Sequence, residues 1–217
     1  MSADWAIWIT QDGAFIAIHV NDIYAGGTDK QLEIAFIQIN KHIRMKDLRK
    51  LSRYLGLDIE YDEILGLFFV KQGQYARKIL EEFVLINIYT APTPMVEGEK
   101  WDDLDSELLP DLQKERYQSA IGMLLYLMYG TRPDISYPVI KLSQYSSKPR
   151  KIHWDGVKRI MYYLKGILDK GLILGNIEHA PKGLVAYFDS AHADNIDKWS
   201  TYGYLFILNG GLILWAT

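Results

Sequence analysis

The sequence predicts an α+β protein built from at least two units. Three observations carry that expectation. Runs with two-residue alternation and runs with helical periodicity occur in blocks: strands with helices first, helices alone in the middle, strands at the end. Turn-forming clusters such as Gln11-Asp12-Gly13 and Asn209-Gly210 fall between alternating apolar runs, the signature of hairpins. Residues 91–112 contain three prolines inside an acidic run, so they read as a connector rather than a packed element.

The elements follow in order. AIWI and AFIAIHV form a first hairpin, and Asn21-Asp22 sits where the strand over 14–20 ends. A short strand over Ile23–Ala25 leads into Gly26-Gly27. Thr28-Asp29-Lys30-Gln31 has capping-box form, and Leu32, Ala35, Phe36, Ile39 and Ile43 then keep helical spacing, which predicts a helix from about 29 to 44. Residues 54–60 and 65–70 read as another hairpin around Tyr61-Asp62-Glu63. Ala76, Ile79, Leu80 and Phe83 mark the next helix.

Beyond the connector, Ile121, Leu124, Leu125 and Met128 share a helix face. Thr131-Arg132-Pro133-Asp134 caps a second helix with proline in its first turn, running to about 146. A third starts near Pro149 and keeps Val157, Ile160, Met161, Leu164 and Leu168 on one face until Gly171. The tail changes period: LVAYF, YGYLFIL and GLILW are three strands, the last two joined through Asn209-Gly210.

Composition excludes several classes. The chain has 217 residues, 24 Lys+Arg against 27 Asp+Glu, 49% hydrophobic residues and no cysteine, as in an ordinary soluble globular protein. Absent cysteine removes disulfides, thiolate zinc sites and thiol nucleophiles. The longest nearly apolar run, residues 120–129, is about half the ~20 residues a membrane span needs, so no membrane partner is expected. The N-terminus lacks signal-peptide features, which predicts an intracellular protein of cytoplasm or nucleus.

Charge is segregated. Residues 41–53 carry Lys41, Arg44, Lys46, Arg49, Lys50 and Arg53 against Asp47 alone, and residues 97–115 hold eight acids against two lysines. Residues 141–170 return to eight Lys/Arg against two acids, among them Lys158, Arg159 and Lys165. These basic stretches are candidate phosphate contacts, with Tyr162 and Tyr163 available for stacking; solvated helix faces and helix packing explain the same patterns.

No G-x-S-x-G, P-loop or H-E-x-x-H occurs, and His19, His42, His153, His179 and His192 lack ligand-pair spacing. Two aspartates at strand ends stand out. Asp22, in a tight turn, and Asp189, after LVAYF, could each reach a hard cation, although either alone reads first as a turn residue bonding its own backbone.

A set of ordered motifs resembles the C-terminal part of the polyprotein of copia-type retrotransposons, from late reverse transcriptase into ribonuclease H. His19-Val20-Asn21-Asp22-Ile23 stands at the family's Y-V-D-D-I palm turn, and Thr93-Pro94-Met95 matches T-P-M. The stretches Tyr117 to Gly122, Tyr126-Leu127, Thr131 to Ile135, His153-Trp154 and Arg159 to Gly166 match in order. Asp189 matches the first aspartate of Y-S-D-A-D-W, and Ser200 to Tyr204 with Gly210-Gly211 and Trp215 match the closing segments.

The resemblance implies a partial palm over residues 1–70, a thumb-like helix over 71–90, the acidic connector over 91–112, a helical connection over 113–175 and a truncated ribonuclease H-like β-segment over 183–217. It implies magnesium at Asp22 and Asp189, an RNA/DNA template–primer or RNA–DNA hybrid as partner, and virus-like particles in intact relatives. It also marks departures: Asn21 replaces the first palm aspartate, and Ala191 and His192 replace Asp and Trp. With one matched ligand per centre, the expectation is a catalytically inactive piece of an RNA-directed DNA polymerase that does not functionally bind magnesium. The alternatives are a non-catalytic nucleic-acid-binding or assembly module, and a chain active only when a complementary fragment supplies the missing ligands; self-association or complementary polyprotein segments are the further partner expectations.

Overall fold

The computed structural model describes residues 6–85, 89–99, 101–102, 105–175, 177–191 and 201–217. It is mixed α and β and divides into two compact units, Met1–Tyr54 and Leu55–Thr217.

In the first unit, β1 (Ala6–Ile9), β2 (Phe15–His19) and β3 (Asp22–Gly26) form an antiparallel sheet with β2 central. Thr10 closes the first hairpin: its Oγ1 accepts from the Ala14 N–H at 2.8 Å, and its own N–H donates to the Ala14 carbonyl at 2.8 Å. As the middle strand, β2 buries Ile16 and Ala17, while the edge strand β1 leaves Ile9 75% exposed. α1 (Asp29–Asn40) starts as its capping pattern requires, because the Thr28 N–H and hydroxyl both donate to Gln31 Oε1, at 2.8 and 2.9 Å. The Gln31 amide in turn donates to the Asp12 carbonyl, pinning the helix start to the first hairpin loop.

The helix expected to reach 44 stops four residues early. Asn40 Oδ1 accepts the Met45 N–H at 2.8 Å, a local bond that competes with the helical ladder, and Ile43 gains no burial to oppose it. Residues 44–50 are therefore irregular chain rather than a basic helix face. β4 (Arg53–Tyr54) closes the unit.

In the second unit, β5 (Leu57–Asp62), β6 (Leu67–Lys71) and β7 (Leu172–Gly175) run side by side in antiparallel register. Asp62 turns the first hairpin by accepting the Ile64 and Leu65 N–H groups at 2.9 and 3.0 Å. α2 (Gly73–Glu82), α3 (Asp111–Gly130), α4 (Ser136–Ser143) and α5 (Lys151–Gly166) form the core, with a single 3-10 turn over Pro133–Ile135 leading into α4. Ile79, Leu124, Leu127, Val139, Leu142, Ile160 and Leu164 meet there fully buried. Finally β8 (Leu184–Ala191), β9 (Thr201–Leu208) and β10 (Gly211–Ala216) form an antiparallel sheet. The β9–β10 loop is Asn209-Gly210 with φ of 49° and 91°, the two positive values that a type I′ turn demands.

Two expectations need correction. The described residues of 91–112 are packed rather than an open connector. Trp101 is 4% exposed, the Ala91 N–H donates to the Tyr162 carbonyl, and the Leu109 and Lys151 N–H groups donate to the Pro149 and Glu107 carbonyls. Proline removes helical options here, but buried aromatic area and backbone pairing to neighbouring elements hold the segment down. The two compact units accordingly part at Tyr54/Leu55, not at this segment. The second correction is at residues 172–175, expected as the end of the helical connection. They form β7, which follows Gly171, ends at Gly175 and pairs with β6, about a hundred residues away in sequence, and Gly211 packs closely on Leu174. Among the described residues no helix is long and apolar enough to cross a membrane.

Candidate functional site

β2 and β3 turn through only two residues, Val20 and Asn21, so that His19 faces Asp22 across the hairpin. Val20 has φ of 52° and is 82% exposed. A β-branched residue in the left-handed region is strained, and such strain gathers where a chain must present particular side chains. Asn21 and Asp22 stand exposed at the tip. Tyr54 lies within the field of Asp22: its hydroxyl pKa is raised, first by burial and then by that negative charge.

The magnesium fit is poor. Hard divalent cations in phosphoryl-transfer centres need several converging carboxylates. Here Asp22 has beside it Asn21, an uncharged amide, and among the described residues no group of three or more acidic or histidine side chains could hold a metal. The donors among the described residues do not assemble a two-metal centre.

Asp189 lies exposed on β8 opposite Gly203, and one of its oxygens accepts the N–H of its neighbour Ser190 at 2.9 Å. With Phe188, Ser190, Tyr202 and Gly203 it lines a shallow surface concavity. His192 and Ser200, named in the matched motifs, lie outside the described residues. Asp22 and Asp189 belong to different units.

The basic candidates separate into two groups. Lys41, Arg44, Lys46, Arg49, Lys50 and Arg53 are all exposed on the chain after α1, with Arg49 3.6 Å from Asp47. On α5, Lys158 pairs with Asp155 at 2.6 Å and Arg159 donates to Thr93 Oγ1 at 3.0 Å, while Lys165 is half-buried. Tyr163, a stacking candidate, instead donates its hydroxyl to Asp134 at 2.8 Å.

Sequence reasoning missed two polar clusters. Arg132, 1% exposed, grips Asp134, which holds that carboxyl below its ordinary range although burial alone would raise it; Tyr163 is pushed up by its own burial and by Asp134. His153, 2% exposed, accepts the Arg150 N–H at Nδ1 (2.9 Å), so its Nε2 carries the hydrogen facing the Trp101 carbonyl at 2.8 Å. Burial pushes the His153 pKa down. The Arg-x-Asp spacing around Pro133 was a visible signal; no sequence signal paired His153 with Trp101. Both clusters fall on motifs matched in the resemblance, and both bind the helical core together.

The family model described as "Reverse transcriptase (RNA-dependent DNA polymerase)" matches residues 4–97, the span that contains the His19–Ile23 hairpin. Among curated proteins, the "Retrovirus-related Pol polyprotein from transposon TNT 1-94" of Nicotiana tabacum is 33% identical over 93% of this chain and 15% of its own length. The putative transposon Ty5-1 protein of Saccharomyces cerevisiae is 30% identical over 96% of this chain and 67% of its own length. The "Retrovirus-related Pol polyprotein from transposon RE2" of Arabidopsis thaliana is 30% identical over 99% of this chain and 15% of its own length. No solved structure matches. The chain belongs to the reverse transcriptase family of transposon Pol polyproteins. It spans about 15% of the tobacco and Arabidopsis polyproteins.

Proposed function

We propose that this chain corresponds to a retrotransposon reverse-transcriptase region that contacts template–primer through its basic surfaces and does not by itself catalyse nucleotidyl transfer. The observation that carries the reading is the β2–β3 hairpin tip, which presents Asn21 and Asp22 where the family offers two carboxylates. On this reading residues 1–70 are a partial palm, 71–90 thumb-like, 113–171 a helical connection and 183–217 a ribonuclease H-like β-segment. Asp22 and Asp189 are remnants of the two magnesium centres. The exposed cations Lys41, Arg44, Lys46 and Arg49 supply phosphate contacts, and each such contact releases counterions and steepens the salt dependence.

The test has two arms. Primer extension on an RNA template with magnesium is expected to give no product above background, and clear incorporation would overturn the inactive reading. Salt titration of binding to an RNA–DNA hybrid is expected to show affinity falling steeply with salt; no binding at low salt would remove the nucleic-acid reading. The second reading, an assembly module, is favoured by one face of the β8–β10 sheet, where Leu184, Phe188, Tyr202 and Leu214 are each at least half exposed. Light scattering that gives a monomer across the working concentration range would remove it.

A further inference from the structure

α5 carries Lys158, Tyr162 and Lys165 at helical spacing, so the three share a stripe, with Arg159 beside them. Residues 89–93 run antiparallel along that stripe. Thr90 packs against Gly166, the Ala91 N–H donates to the Tyr162 carbonyl at 3.2 Å, and Thr93 accepts from Arg159 at 3.0 Å. This path lays the Tyr89 ring over Tyr162, with centroids 4.7 Å apart and planes inclined by 50°. Tyr162 is partly buried against the core, whereas Tyr89 is 71% exposed.

Tyr89 presents its ring to solvent on Tyr162, beside a helix whose charges are Lys151, Lys158, Arg159 and Lys165 against Asp155 alone. Polyanions are favoured there, and a polyanion that carries flat π-faces is a nucleic-acid strand. Paired bases are occupied by their own stack, so the matching ligand is unpaired.

We infer that Tyr89, held over Tyr162, is a stacking platform for an unpaired base of a single-stranded nucleic acid whose phosphates lie along Lys158, Arg159 and Lys165. The inference rests on the nucleic-acid reading above and narrows it to single strand at this surface. A phosphate would compete with Asp155 for Lys158, which sits 2.6 Å from it.

The experiment compares the full chain with Tyr89→Ala, Tyr89→Phe and Asp155→Asn for binding a labelled oligodeoxythymidine of about twelve nucleotides and a blunt RNA–DNA hybrid at low salt. Tyr89→Ala is expected to weaken single-strand binding roughly tenfold, Tyr89→Phe to retain it, and hybrid binding to change little. Asp155→Asn, which frees Lys158, is expected to tighten single-strand binding. Circular dichroism verifies that the exposed substitution leaves the fold intact. If the parent binds the hybrid with steep salt dependence but Tyr89→Ala binds oligodeoxythymidine as tightly as the parent, the platform is wrong and the broader reading survives. If the parent binds neither probe, both fall.

Discussion

Arg132 holds Asp134 by two parallel hydrogen bonds, Nε to Oδ1 at 2.9 Å and Nη2 to Oδ2 at 2.8 Å, in a place where the arginine side chain is 1% exposed. Nη1 also donates to the Ile167 carbonyl at 3.3 Å, and the Tyr163 hydroxyl completes Asp134 at 2.8 Å. The cluster joins the α3–α4 turn to the end of α5. Removing one member strands a buried charge, so Asp134→Asn is expected to lower unfolding free energy by about 3–5 kcal/mol. Arg132→Met with Asp134→Leu, which removes both charges, is expected to recover most of that loss. Urea midpoints measure both; an Asp134→Asn protein as stable as the parent would show that the pair contributes nothing.

His153 makes the second unit sensitive to mild acid. Its folded pKa lies below the ordinary histidine value of 6.5 because burial disfavours the imidazolium, with Arg150 adding to the effect and the Trp101 carbonyl and Asp102 opposing it. In the unfolded chain it protonates near 6.5, so below that pH the unfolded state binds the extra proton. The stabilisation is complete above about pH 6.5 and is lost as pH falls toward the depressed folded value, at up to about 1.4 kcal/mol per pH unit. Protonation would also oppose the Arg150 N–H at Nδ1. Urea midpoints between about pH 7.5 and 5.5 are expected to fall in the parent and to flatten in His153→Leu.

Helix α2 ends in a Schellman motif: the Leu85 N–H bonds the Leu80 carbonyl at 2.8 Å and the Val84 N–H bonds the Glu81 carbonyl at 3.0 Å. Val84 sits at the left-handed position with φ of 59° and 79% exposure, where a β-branched residue is disfavoured. Val84→Gly is expected to stabilise the protein by about 0.5–1 kcal/mol, read as a raised Tm. An unchanged or lowered Tm would contradict this.

Gly156 on α5 lets Trp101 reach the core. A Cβ there would stand 3.0 Å from the indole Nε1 and 3.3 Å from Leu142 Cδ1. Gly156→Ala is expected to cost about 1–3 kcal/mol despite alanine's better helix propensity. Quenching of Trp101 emission should become easier as the ring is displaced.

The exposed cations after α1 are separable from stability. Replacing Lys41, Arg44 and Lys46 by alanine is expected to leave Tm unchanged. The slope of log affinity against log salt for an RNA–DNA hybrid should become shallower by about one unit for each phosphate no longer neutralised. An unchanged slope would assign the phosphate contacts to other residues.

Local signals were legible wherever local energetics decide. The Thr28/Gln31 cap, the Asn209-Gly210 turn and the apolar stripe of α2 appear where their residues placed them, because capping, positive φ and helical burial act over a few residues. The His19–Ile23 motif likewise placed Asp22 at a hairpin tip. The end of α1 was not legible, since a single Asn40 bond to Met45 outweighed an apolar stripe that finds no burial at Ile43.

By itself the sequence determined the α+β order, the helical core and the family, all of which rest on patterns of neighbouring residues or on ordered motifs. Tertiary structure alone decided that the chain is packed at Ala91 and Trp101, that β7 joins β6, that Tyr163 bonds Asp134 rather than offering a free ring, and that Tyr89 stands open to solvent. Each of these depends on partners far apart along the chain. Their energies are realised only when the helices have closed the loops between them, and no periodicity in one segment reports on its distant partner.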